Sequence, residues 1–138
     1  MQTVRHGEAS RAAKAGELLL IDAGAEVRSY ASDVTRAYPV SGKFTPEQRD
    51  IYRIVDEARR NAIEKCRPGV EWQDVHLGAC LDIARGLAGI GILKGSAESL
   101  LEQDAQALFF PHGIGHMLGL GVRDAGGKLP GRKSKRPG

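Results

Sequence analysis

Apolar side chains recur along this chain with two different periods, and a third stretch has almost no period at all. Residues 18–27, LLLIDAGAEV, begin as a continuous aliphatic run and become mixed, which predicts a buried strand. Residues 30–40, YASDVTRAYPV, carry β-formers in rough alternation. The short Arg28-Ser29 connection between them predicts a hairpin, although it lacks the Asn-Gly pair of the tightest turns. A helical period takes over at Thr45. TPEQ reads as a capping box, in which the Thr45 hydroxyl accepts from the backbone three residues on and Gln48 reaches back. Pro46 suits the first helical position because its missing N–H would have had no partner there.

Ile51, Ile54, Val55, Ala58 and Ala62 then follow at helical spacing until Arg67-Pro68-Gly69 ends the helix. A second helix carries Trp72, Val75, Ala79, Ile83 and Leu87 on one stripe, with His76 and Cys80 beside it. For a single histidine in that place, a core-edge residue is a simpler reading than a ligand. Gly89, Gly91 and Gly95 break the pattern, and Ser96 can cap a short third helix running to about Gln103. PHGIGHMLGL, residues 111–120, would place three glycines inside a helix at roughly 0.8–1 kcal/mol each, so it reads as a bent strand or loop.

Composition limits the alternatives. With 138 residues, 41% hydrophobic and 27% charged, the chain fits one small domain or part of a larger one. It has no run of about 18 apolar residues, so no membrane helix is expected. MQTVRHGEAS lacks the apolar core of a signal peptide, so a cytoplasmic location is expected. Cys66 and Cys80 are too few for a disulfide scaffold or zinc knuckle. The net charge of +3 becomes −2 once the five cations Lys128, Arg132, Lys133, Lys135 and Arg136 are set aside. Residues 1–127 therefore read as the folded unit, and residues 128–138 as a basic Gly/Pro/Lys/Arg tail or loop. The tail alone is a weak basis for nucleic-acid binding, which is not expected.

The candidate chemistry lies in the hairpin and the glycine-rich segment. In an extended backbone His112 and His116 share a face but stand roughly 13 Å apart. Each ligand of an ion lies about 2 Å from it, so the two histidines are expected to have separate jobs. With the hairpin turn centred near Val27-Arg28, Asp22 falls opposite Asp33, and cross-strand partners of this kind sit about 5 Å apart at Cβ. Two such carboxylates can clamp cations. A carboxylate after LLLI is otherwise a poor packing residue. From spacing alone, a turn-capping aspartate is an equally good reading.

LLLIDAGAEVRSYASDVTRAYPVSGKFTPEQRDIY together with PHGIGHMLGL closely resembles the Xaa-Pro peptidases, aminopeptidase P and prolidase, of the pita-bread metallopeptidase family. The likeness extends to RPGVEWQDVH and GILKGSAESL. It implies an α+β fold, curved antiparallel strands backed by helices, as the central part of a pita-bread catalytic domain. It implies that Asp22, Asp33 and His116 bind two divalent ions, usually manganese. His112 then lies in the substrate cleft, where it can donate to the tetrahedral intermediate, and His6 matches a further substrate-side histidine one residue out of register. The implied reaction is hydrolysis of the bond before proline, with proline-containing peptides as partners.

Three departures accompany the resemblance. Where the family commonly reads D-V-H-D, this chain has Gly121-Val122-Arg123-Asp124, so Arg123 replaces a substrate-side histidine and can bind a carboxylate but not shuttle a proton near neutral pH. HGIG is also similar to the methionine aminopeptidases, but the histidine expected seven residues on is Gly119, which favours the Xaa-Pro register. The family uses two further glutamate ligands downstream, and the sequence ends at Gly138 before either. The expectation is a fragment inactive alone, whose open strand edges favour homo-oligomers. A pita-bread module that binds peptides or proteins without catalysis is the competing expectation.

Overall fold

The structure is a computed structural model, and it describes residues 11–126. Four strands come first: β1 (Leu18–Ala23), β2 (Glu26–Val27), β3 (Tyr30–Ala31) and β4 (Val34–Pro39). Three helices follow: α1 (Pro46–Lys65), α2 (Trp72–Gly89) and α3 (Ala97–Glu102), with a 3-10 turn at Ala105–Leu108. The sequence-predicted order of hairpin, two long helices, short helix and histidine segment is therefore the observed one. His6 and the basic tail lie outside the described residues.

β1 to β4 form one long antiparallel hairpin. Leu18 faces Pro39 and Ala23 faces Val34, and the pairing continues through Glu26 with Ala31 and Val27 with Tyr30. The turn is Arg28-Ser29, both with positive φ, 51° and 65°. Tight two-residue hairpins favour this conformation because its twist matches the strands, and glycine or asparagine enters it most cheaply.

This register corrects the expected pairing of Asp22. The turn centre lies one residue later than Val27-Arg28, so Asp22 faces Thr35 and Asp33 faces Gly24. Asp22 and Asp33 become diagonal neighbours on one face, about 7–8 Å apart between backbones rather than directly opposite. Gly24 has a specific role in this pairing. A Cβ there would fall inside the van der Waals radius of the Ser32 carbonyl oxygen.

α1 begins as the sequence predicts. The Thr45 hydroxyl accepts from the Gln48 backbone N–H, and the Gln48 side chain accepts from the Thr45 N–H. The core lies between α1 and α2, where Ala58 packs with Ile83 and Leu87, and Ala62 with Val75 and Ala79. Ile54, Leu93 and Phe110 close one end of it. The Ser96 hydroxyl caps α3, accepting from Ser99 N–H, and Leu100 is buried.

One expectation fails in this structure. β1 is not buried: Leu20 is 69% exposed, and Leu18, Leu19 and Ile21 are each more than two-fifths exposed. The aliphatic run forms the strand, but no described helix packs across it, because α1 and α2 bury their stripes against each other.

Candidate metal centre

The hairpin projects the two aspartates, and residues 111–124 return across its tip. Backbone and hydroxyl contacts hold that segment. Ala31 N–H donates to the Gly119 carbonyl at 3.0 Å, and the Tyr30 hydroxyl donates to the Leu118 carbonyl at 3.3 Å. Asp124 N–H donates to the Met117 carbonyl at 3.1 Å, closing a small loop that contains Arg123. A side chain at Gly119 would meet the Asp124 carboxylate, which would have to turn aside. No helix forms here, and the glycine-rich composition accounts for that.

This docking brings His116 to Asp33. His116 Nε2 lies 3.1 Å from Asp33 Oδ2, with the two side chains 27% and 23% exposed. The other ring nitrogen, Nδ1, lies 3.0 Å from the Met117 carbonyl oxygen. A carbonyl oxygen only accepts, so Nδ1 carries the proton in that contact. A neutral His116 therefore presents the Nε2 lone pair to a carboxylate oxygen. Two lone pairs at that distance need a positive species between or upon them. A second ring proton meets the need as an ion pair, and a shared cation meets it as two ligands. Fixing the tautomer through a backbone carbonyl is the usual support of a metal-binding histidine.

Asp22 sits on the same face of the ribbon. The Thr35 hydroxyl opposite donates to its Oδ1 at 2.5 Å. Sequence reasoning missed Thr35, because the turn was centred one residue too early. With the correct register, Thr35 is the cross-strand partner that fixes the Asp22 rotamer. Ser32 was missed as well. Its hydroxyl accepts from Ala25 N–H at 3.0 Å and pins the strand break beside Asp33.

The remaining candidates stand apart from this pair. His112 is exposed, and its ring meets Phe110 edge-on with centroids 6.1 Å apart. Arg123 is exposed on the closing loop. Among the described residues, no three histidine, cysteine, aspartate or glutamate side chains are gathered around one point. The donor set fits a divalent cation in kind, two carboxylates and a neutral imidazole on facing segments, but it supplies three protein ligands in all.

Comparisons with known proteins give the family of the chain. The family model described as metallopeptidase family M24 matches residues 2–137. A probable Xaa-Pro aminopeptidase from Emericella nidulans is 49% identical over 109 residues, covering 79% of this chain and 23% of that protein. One from Paracoccidioides lutzii is 47% identical over 119 residues, covering 86% and 25%. Among solved structures, Pseudomonas aeruginosa aminopeptidase PepP superposes with a TM-score of 0.83 at 41% identity, over 88% of this chain and 27% of that one. Zinc-substituted Escherichia coli aminopeptidase P in complex with product gives 0.79 at 45% identity, over 82% and 26%. The chain thus spans about a quarter of the length of the relatives it matches.

Proposed function

This chain belongs to metallopeptidase family M24, and we propose that it carries half of the metal centre of a cytoplasmic Xaa-Pro aminopeptidase, hydrolysing the peptide bond before proline. The contact that carries this reading is His116 Nε2 on Asp33 Oδ2, with the opposite ring nitrogen already committed to a carbonyl.

Asp22, Asp33 and His116 would hold two divalent ions, with manganese the metal we favour. The bound pair supplies Lewis-acid polarisation of the scissile carbonyl and a nucleophile at neutral pH. Thr35 holds the Asp22 carboxylate in one rotamer, and Met117 holds the His116 ring. His112, exposed on the same segment four residues before His116, would donate to developing negative charge on substrate. Arg123 would suit a peptide carboxylate rather than proton transfer. The substrate's proline offers no amide N–H and a fixed φ, a shape that a dedicated cleft can recognise.

The test is hydrolysis of an Xaa-Pro peptide by a manganese-loaded aminopeptidase P in which this chain replaces the matching quarter, set beside the matching Xaa-Ala peptide. Cleavage of the first alone, lost in Asp33→Asn and His116→Gln, is the expected result. Equal cleavage of both peptides, or activity that survives both substitutions, contradicts the proposal. A second reading, peptide binding without hydrolysis, is favoured by the absence of a third gathered ligand among the described residues. Proline-peptide affinity with no turnover in the loaded protein would establish it.

A further inference from the structure

His116 is flanked by two anchors, and they belong to different layers of the molecule. After it in sequence, the Leu118 and Gly119 carbonyls accept from the Tyr30 hydroxyl and the Ala31 N–H at the hairpin tip. Before it, Ile114 packs against Ala62 of α1 and against Val75 and Ala79 of α2, all three buried. The Trp72 ring, at the start of α2, stands beside the same stretch, 3.7 Å from where a Cβ on Gly115 would lie. The backbone here adds little. Among the described residues, no backbone–backbone hydrogen bond involves residues 111–116. No hairpin strand packs on a helix among the described elements either. Phe110, seated on the other core cluster, lies further back beyond His112. The Ile114 side chain is therefore the nearest tie between His116 and the helical core.

We propose that Ile114 is a positioning residue for His116: packed on Ala62, Val75 and Ala79, it sets where the imidazole meets Asp33, and metal affinity follows from that fit. The link to affinity rests on Asp33 and His116 being metal ligands, as proposed above. The physical reason is entropic. A glycine-flanked stretch without backbone hydrogen bonds samples many conformations, and ordering each residue of it is unfavourable. Burial of the Ile114 side chain offsets that loss before any ion arrives, so the imidazole is preorganised beside its carboxylate. With a methyl group at position 114, the hairpin anchors still hold residues 118 and 119, but nothing fixes the stretch in front of His116. Ion binding would then have to order that stretch as well, and it weakens.

The experiment compares two core truncations in the full chain, Ile114→Ala and Leu87→Ala, the second in the cluster that Ile114 does not touch. Two readouts are taken. The first, without metal, is the nuclear Overhauser contact between the His116 ring protons and the Asp33 β protons. The second is manganese affinity by paramagnetic resonance. Ile114→Ala is expected to lose the contact and to weaken manganese binding about tenfold, the scale on which groups that orient a metal ligand act. Leu87→Ala should keep both while lowering the melting temperature, and the volume-conserving Ile114→Leu should restore both. Circular dichroism checks the helices of each variant. If Ile114→Ala loses them, Ile114→Val takes its place, with a smaller loss in the same direction expected. Contact and affinity unchanged in the position-114 truncation, equal losses in Leu87→Ala, or no contact in the natural chain overturns the proposal. A natural chain that shows the contact but takes up no manganese contradicts the metal reading instead, and the contact alone then decides the role of Ile114.

Discussion

The helical layer and the hairpin layer of this molecule satisfy their apolar residues in opposite ways. α1 and α2 bury theirs against each other, so Ala58, Ala62, Val75, Ala79, Ile83 and Leu87 are all shielded within the described residues. The hairpin has more aliphatic side chains per residue and leaves them exposed. It is held by backbone pairing, a strained turn and a few hydroxyls, and it carries Asp22 and Asp33. The helices are stable because of what they bury. The hairpin is defined by register, and its chemistry depends on that register.

The largest expected effect breaks the register. Gly24→Val puts a side chain into the Ser32 carbonyl and should cost more than about 3 kcal/mol locally, as a buried steric clash does. Hydrogen exchange should then speed up in β1 and β4 while α1 and α2 stay protected. Equal loosening of both layers would show that they are one cooperative unit. The reverse experiment is Leu87→Ala, a cavity in the helical core worth about 2–5 kcal/mol. Thermal melting followed by helical circular dichroism should move down, with β1 and β4 protection changed less.

Two smaller effects sharpen the contrast. Ser29→Gly relieves a positive φ in the turn and should stabilise the hairpin by about 1 kcal/mol, read as slower exchange at Val27 and Tyr30. In the helical layer, burial pushes the Cys80 thiol above its ordinary 9.0, with Asp104 adding to the rise and the Gln106 hydrogen bond opposing it. The folded state therefore holds this proton more tightly than the unfolded state. Its contribution is complete below 9.0 and is lost as pH rises through the folded value. Denaturant unfolding should show stability falling more steeply above that pH in the natural chain than in Cys80→Ala.

Most elements of the fold were legible in the sequence, because each carried a local physical signal. The TPEQ box set the start of α1, and the Ala58, Ala62, Val75, Ala79 stripe set the core face. What failed was a count of one residue. Arg28 and Ser29 lack the glycine or asparagine that usually marks left-handed turn positions, so the turn could be centred on Val27-Arg28, and Thr35 went unnoticed beside Asp22. The run LLLI gave the strand but not its surroundings, since apolar content measures a need for cover and not what supplies it. The approach of His116 to Asp33 joins residues 83 positions apart, and no local pattern encodes that distance.

The central claim is that Asp33 and His116 face each other across a cation site and do not form a simple ion pair. Manganese binding to the full chain, followed by the loss of its free-ion paramagnetic resonance signal, tests this most directly. The account predicts saturable binding that is abolished by Asp33→Asn and weakened by His116→Gln, with helical content unchanged. Binding that is absent from the natural chain, or identical in Asp33→Asn, would contradict it and leave the contact as a histidine–aspartate salt bridge.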